Sequence, residues 1–311
     1  MKYGIGAFCA LLLSSCAGAT SESSPLSSPS VEEASSIDKG SVPSFRLMSW
    51  NVYLGRGNME YLQEVVSDYS PDILHFQECT VPCNAMKKGI LESHPDYVLV
   101  DDTVSVGMLC ATPIIFDSSK FNLIDSGTEM LNDAYPGVTT KSLAWAVFEE
   151  KESEELLIDL NFHGAVCTAN YDGYDSYTDE ERQEIAANWR RGNIAQLLAK
   201  ANELHLEYGP CGICFSGDCN FDSSSLAYAD TMEAGYFDAE VSAIQCRCQD
   251  GLKSSHTLSQ APSEGKTIDH IFADSNLTIQ THAIERGAKA LKASDHCPVI
   301  ADISMEEAPY A

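Results

Sequence analysis

Apolar and polar positions along the chain fall into two recurring rhythms. Phe45, Leu47 and Ser49 alternate with Arg46, Met48 and Trp50, a period of two that predicts a strand ending at Asn51. Met59, Leu62, Val65, Val66 and Tyr69 then recur at helical spacing, with Asn58 placed to cap the helix and Pro71 to end it. The apolar run over 73–76 reads as a second strand carrying Gln77 and Glu78 at its end. Residues 112–116, 121–124, 143–148 and 156–162 are short β-rich runs between turn residues and predict antiparallel sheet. Thr178-Asp179-Glu180-Glu181 has the form of a capping box, and Ile185, Trp189, Leu197, Leu198, Ala201 and Leu204 trace one face of a long helix that Gly209-Pro210 ends. Three more strands are expected at 212–216, 267–273 and 299–304, each beside or containing a polar residue where a buried strand favours an apolar one. Strands and helices mixed in this way predict two sheets packed face to face with helices outside, with a doubly wound sheet as the alternative that periodicity leaves open.

Composition adds a constraint. A chain of 311 residues that is 44% hydrophobic has material for one large globular domain. Its 46 acidic and 19 basic residues give a formal charge of -27, which repels nucleic acid and anionic lipid at long range. That balance argues against binding them by charge neutralisation and allows an enzyme that works through a bound cation.

At the N-terminus, Lys2 precedes an apolar run over 5–13 that is too short to span a membrane and suits the centre of a signal peptide. It leads into Leu13-Ser14-Ser15-Cys16, small residues before a cysteine, which resembles the bacterial lipoprotein signal. On that reading residues 1–16 hold the signal, Cys16 carries the lipid that reaches a membrane, and the protein is a cell-surface or periplasmic lipoprotein; ordinary secretion is the second choice. Residues 17–44 are rich in Ser, Glu and Pro and predict a disordered tether, so the folded domain is expected over 45–305. Export makes disulfides the leading expectation for the cysteines: 12 in all, less Cys9 and Cys16, leaves ten, an even number. A structural zinc on Cys211, Cys214, Cys246 and Cys248 ranks second.

Polar clusters stand at the expected strand ends: Trp50-Asn51-Val52, Gln77-Glu78, Asn161-Phe162-His163, Gly217-Asp218-Cys219-Asn220 and Ser294-Asp295-His296, with Ile268-Asp269-His270 inside a strand. Hydrolysis of a phosphoester needs a hard cation, a base to activate water and donors for the charge of the transition state. Carboxylates and an amide oxygen suit Mg²⁺ or Ca²⁺, and an imidazole beside a carboxylate suits the base. No Gly-x-Ser-x-Gly context for a serine nucleophile is present.

In this order, and over roughly residues 45–304, these motifs resemble the endonuclease/exonuclease/phosphatase superfamily, which includes deoxyribonuclease I, exonuclease III, neutral sphingomyelinases and inositol polyphosphate 5-phosphatases. The resemblance implies a four-layered α/β sandwich of two mixed, mainly antiparallel sheets. It implies Glu78 as principal metal ligand, Asn51 as the amide that helps hold the metal or its water, and Asp295 as a further ligand. His296 would be the general base, Asp269 the carboxylate that orients it, and His163 a donor to the scissile phosphate. Asp218 would position the nucleophile or a metal, and Asn220 would contact the phosphate. The expected cofactor is Mg²⁺, with Ca²⁺ or Mn²⁺ as alternatives, and the expected substrate a nucleic acid, a phospholipid or a small phosphate ester, hydrolysed by a monomer of nuclease- or sphingomyelinase-like phosphodiesterase type. The chain departs from the family's Asn-Thr-His-Leu motif, with Phe162 for the threonine and Gly164-Ala165 after the histidine. The alternative is a lipid-anchored binding module that keeps the fold without the chemistry. His75 is expected to be structural, His270 to be a packing or surface histidine, and His94, His205, His256 and His282 to be solvated.

Overall fold

The alternation at the start of the folded chain places Phe45 and Leu47 on one side of a strand and Met48 and Trp50 on the other, and both sets are buried. That strand is therefore covered on both faces, which only a layered fold provides. The computed structural model describes residues 44–100, 111–131, 141–166, 176–246, 253–257 and 265–305. In chain order the elements are β1 (Ser44–Asn51), α1 (Met59–Tyr69), β2 (Ile73–Gln77), α2 (Asn84–Ser93), β3 (Tyr97–Leu99), β4 (Ile114–Asp117), β5 (Phe121–Met130), β6 (Ser142–Glu150) and β7 (Leu156–His163). They continue with α3 (Asp179–Tyr208), β8 (Gly212–Asp218), α4 (Leu226–Glu233), β9 (Phe237–Asp238), α5 (Ala239–Ser242), β10 (Gln245–Cys246), β11 (Asp269–Ala273), β12 (Thr278–Ile284), α6 (Ala290–Ala293) and β13 (Val299–Ser304).

The strands form two sheets, ordered β10-β12-β13-β1-β2-β4-β3 and β5-β6-β7-β8-β11-β9. Most pairings are antiparallel; β1 with β2, β7 with β8 and β10 with β12 are parallel. Three apolar clusters define the layers. Phe45, Leu47, Ile73, Phe121, Phe148, Leu157 and Ile303 fill the space between the sheets. Leu62, Val65 and Val66 of α1 and Ile90 of α2 pack on Met48, Trp50 and Phe76 on the outer face of the first sheet. Ile194, Leu197, Ala201 and Leu204 of α3 pack on Ile158, Leu160 and Phe215 on the outer face of the second. The result is the expected four-layered α/β sandwich, and the doubly wound alternative is excluded.

Local signals behave as their chemistry requires. The Asn58 side chain accepts from the backbone of Glu60 and Tyr61, and Ser70 closes α1 in the left-handed region at φ 44°. Thr178 and Glu181 form the reciprocal capping box of α3. Between the sheets lies a polar seam. His75 is 2.7 Å from Ser216 Oγ and 2.6 Å from Asp159 Oδ2, and Gln77 Nε2 donates to Ser49 Oγ at 3.0 Å and to Asn161 Oδ1 at 2.8 Å. All six residues are buried.

Full pairing of the ten cysteines does not occur: Cys83, Cys211, Cys214, Cys219, Cys246 and Cys297 carry free thiols, and all but Cys246 are buried. The zinc alternative is not favoured either, because Cys246 is exposed while Cys211 and Cys214 are buried. Cys110, Cys167 and Cys248, together with the expected signal and most of the tether at residues 1–43, lie outside the described residues. No described helix is long and apolar enough to cross a membrane.

Candidate active site

Strand register builds the site. Asp218, the last residue of β8, lies opposite His163 in the parallel pair with β7 and opposite Asp269 in the antiparallel pair with β11. His163, Asp218 and Asp269 therefore stand side by side across one sheet. On the facing sheet, Asn51 lies opposite Gln77, so Glu78 follows at the same end. Asn51 Nδ2 donates to Asp218 Oδ2 at 2.9 Å and joins the two sheets there. Past β8 the chain turns through Asn220 at φ 55°, where its N–H donates to Asp218 Oδ1 at 3.0 Å and its Nδ2 to Gly164 O at 3.1 Å. Glu78 is also left-handed, at φ 54°, an uncommon conformation for a residue with a side chain.

The segment 294–296 is pinned onto the end of β1. Ser294 Oγ donates to Asn51 O at 2.6 Å, His296 N donates to Ser294 Oγ at 3.1 Å, and the Trp50 indole donates to His296 O at 2.8 Å. These bonds hold His296 Nδ1 at 2.8 Å and 3.0 Å from the two Asp269 oxygens and Nε2 at 3.8 Å from Asp218 Oδ2. An imidazole that donates Nδ1–H to a carboxylate keeps Nε2 as its exchangeable position, which suits a proton carrier. Gly57 permits this arrangement: a Cβ there would fall 1.8 Å from Ala293 O.

Electrostatics follow from burial and proximity. Burial alone would lower the pKa of His296, but Asp269 and Asp218 outweigh it and lift it to about 10. In the protein alone His296 thus holds its proton through neutral pH, and it can accept one from water only when the negative charge around Asp218 is offset. Burial works to raise the Asp218 pKa, yet the neighbouring His296, His163 and Lys141 hold the carboxyl well below the usual carboxylate range. His163 is pushed down, first by burial and then by Lys141. Asp295 is pushed up to about 6 by burial, with Glu78 and Asp218 adding to the rise against the opposing pull of His296. Among the described residues neither Glu78 nor Asp295 forms an ion pair, so the repulsion among Glu78, Asp218 and Asp295 is of the kind a divalent cation relieves. These carboxylates and the amide oxygen of Asn51 are hard oxygen donors and fit such an ion. Asp218, Asp269 and His296 also bring ligand atoms within 4.8 Å of one another, but Asp269 directs both oxygens at His296, which a positioning role already accounts for.

Every residue singled out from sequence stands at this end of the sandwich: Asn51, Glu78, His163, Asp218, Asn220, Asp269, Asp295 and His296. Lys141 was not legible there. It is 8% exposed, immediately before β6, with Nζ at 2.9 Å from His163 Nε2 and 3.2 Å from Nδ1. A lone lysine at a strand start carries no motif; only the fold brings it to His163. Ser294, noted as part of a motif, gains a role as the clasp between Asn51 and His296. Among the other histidines, His75 is buried in the polar seam and His270 faces away from the site onto Asp238 and the Phe221 carbonyl. His256 and His282 are buried, not solvated as expected, because the fold covers a loop and a strand whose polar residues resemble surface.

Comparison with known proteins agrees with this fold. No curated protein matches the chain. Among solved structures, an endonuclease/exonuclease/phosphatase family protein from Bacteroides thetaiotaomicron superposes with a TM-score of 0.66 at 18% identity, covering 85% of this chain and 96% of that one. A mannosyl-6-phosphatase from the same organism gives 0.63 at 18% identity, covering 83% and 99%. The human Nocturnin catalytic domain with bound sulfate gives 0.57 at 17%, covering 85% and 95%. The pattern of the endonuclease/exonuclease/phosphatase family matches residues 48–296, which takes in every site residue from Asn51 to His296, and the chain belongs to that family.

Proposed function

We propose that this protein is an exported, Mg²⁺-dependent phosphoester hydrolase. The observation that carries the reading is the chain of contacts His163–Asp218–Asn51 across the sheets, closed by His296 on Asp269, beside the carboxylates of Glu78 and Asp295, which form no ion pair among the described residues. Water attacks phosphorus in line with the leaving oxygen. His296 Nε2 takes the water proton, and Asp269 stabilises the imidazolium that results. His163 donates to a phosphoryl oxygen, Asn220 contacts the phosphate, and Asp218 orients the groups around it. Glu78, Asp295 and the Asn51 amide would hold the metal, which supplies charge neutralisation on the phosphoryl oxygens. The name of the Bacteroides mannosyl-6-phosphatase gives independent support for phosphoester chemistry on this fold.

The test is release of phosphate or alcohol from a panel of duplex DNA, RNA, sphingomyelin, inositol phosphates and aryl phosphates. Activity should vanish with EDTA and return with Mg²⁺, and Glu78→Gln should reduce it at least about 10²-fold. Turnover that persists in EDTA would refute the metal-dependent mechanism. Export and a lipid on Cys16 are part of the same proposal, supported by Lys2, the apolar run and the small residues before Cys16. The mass of the mature N-terminus decides between lipidation and simple secretion.

A further inference from the structure

One buried stripe of α3 runs through Ala186, Trp189, Asn193, Leu197, Ala201 and Leu204 at three- and four-residue spacing. Asn193 is its polar member, fully covered at a position where an apolar residue would pack without needing a hydrogen bond. Its Oδ1 accepts from the backbone N–H of Ala165 at 2.9 Å, and Arg190 Nε donates to the Ala165 carbonyl at 3.1 Å. Trp189 packs with Ala165 in the same small cluster. Neighbouring residues of one helix thus hold both backbone groups of Ala165 and its methyl.

Ala165 stands two residues past His163, the last residue of β7. The β7–β8 ladder ends there: His163 lies opposite Asp218, and the Gly164 N–H makes one further bond, to Asp218 O at 2.8 Å. A chain that leaves a sheet loses its strand partners, and its buried N–H and C=O groups need others. Asn220 Nδ2 takes Gly164 O at 3.1 Å, and α3 takes both groups of Ala165. Gly164 makes this exit possible, because a Cβ there would fall 2.4 Å from Cys219 O. This is the stretch in which the chain departs from Asn-Thr-His-Leu, and the departure leaves a segment with no side chain larger than a methyl, oriented through its backbone.

We infer that Asn193 and Arg190 are positioning residues for His163: by fixing Ala165 they hold the end of β7 so that the imidazole meets Asp218 and is aimed at the phosphate. The inference rests on the role given to His163 in the hydrolase reading above, and it extends the active site into the helix on the outer face of the second sheet. Asn193 carries the larger share, since its bond to Ala165 is buried and that of Arg190 is only partly so.

Asn193→Leu removes the acceptor and completes the apolar stripe, which separates positioning from packing. On any substrate of the panel that is turned over, kcat should fall at least about tenfold while KM stays within about twofold, because a displaced donor loses its transition-state contact first. Asn193→Asp, which keeps an oxygen for the Ala165 N–H, should recover part of the loss. Leu204→Ala, farther along the same stripe, should lower the melting temperature and leave kcat within about twofold. In a His163→Ala background Asn193→Leu should change kcat by less than about twofold, since no imidazole is left to position. As a readout apart from turnover, the imidazole nitrogen resonances of His163 in metal-free protein, identified by their loss in His163→Ala, should move in Asn193→Leu and stay in place in Leu204→Ala. Equal kcat losses with and without His163, unmoved His163 resonances, or a kcat loss in Leu204→Ala that matches Asn193→Leu would overturn the inference and leave the hydrolase standing. If nothing on the panel is hydrolysed, the hydrolase reading falls, and the resonances alone decide whether Asn193 positions His163.

Discussion

His296 condenses the logic of the site into one side chain. Its backbone is tied to Trp50 and Ser294, its Nδ1 to Asp269, and its Nε2 stands near Asp218, so it is buried among negative charge. Its pKa is therefore lifted from 6.5 to about 10 in the metal-free protein. A group held above its unfolded value stabilises the fold fully below the unfolded pKa and loses that contribution as pH rises through the folded one. EDTA-treated protein should accordingly lose stability between pH 6.5 and 10, and the urea midpoint of His296→Gln should fall less over the same range. Parallel curves for the two proteins would rule out the proposed charge environment. At this scale the sequence was informative where chemistry demands adjacent polar residues, as in Gly217-Asp218-Cys219-Asn220 and Ser294-Asp295-His296. It was silent on Lys141, which reaches His163 only because β6 and β7 pair as antiparallel neighbours, with Leu143 opposite Phe162.

Elements place those residues, and the elements that escaped sequence reading share a cause. β12 is buried on both faces rather than alternating, with a register shift after Ile279, and its buried positions include Thr278, Thr281 and His282, which read as surface until the fold covers them. α2 buries Lys87 along with Met86 and Ile90, which blurs its apolar stripe. β5 continues to Met130, beyond the expected end near 124, through residues that are mostly exposed or half-buried and so lack an apolar rhythm. By contrast α1, α3 and β13 were legible because caps and buried faces agree. The approach of α1 to α6 gives a test at this scale. The backbone N–H of Asn58 donates to Lys292 O at 3.0 Å, and Gly57 lies where any Cβ would meet Ala293 O at 1.8 Å. Gly57→Ala must push α6 outward and carry Ser294, Asp295 and His296 with it. The expected result is a loss of about 1–3 kcal/mol in stability together with a larger drop in kcat than in substrate affinity. A variant with wild-type kcat would show that the 294–296 segment is positioned from elsewhere.

The whole molecule is two sheets whose shared interior is not wholly apolar, and the polar part of that interior runs toward the active site. Ser49, Gln77 and Asn161 are bonded one layer in from Asn51, Glu78 and His163, and His75, Ser216 and Asp159 lie deeper along the same strands. Cys214 Sγ, at 3.2 Å, reaches the remaining Asp159 oxygen, so the carboxylate is enclosed by partners from both sheets. Such a seam fixes the register of one sheet on the other more sharply than methyl groups would, because a slipped strand strands a buried charge. Catalysis depends on that register, since Glu78 comes from one sheet and His163 and Asp218 from the other. His75→Ala should therefore do more than open a cavity: it leaves Asp159 buried without its imidazole partner, and the expected cost is about 3–5 kcal/mol in denaturant unfolding. Adding Asp159→Asn to His75→Ala should recover part of that cost, because the residue left behind is then neutral. If His75→Ala costs less than about 1 kcal/mol, apolar packing alone aligns the sheets, and the polar interior has no part in holding the two halves of the active site together.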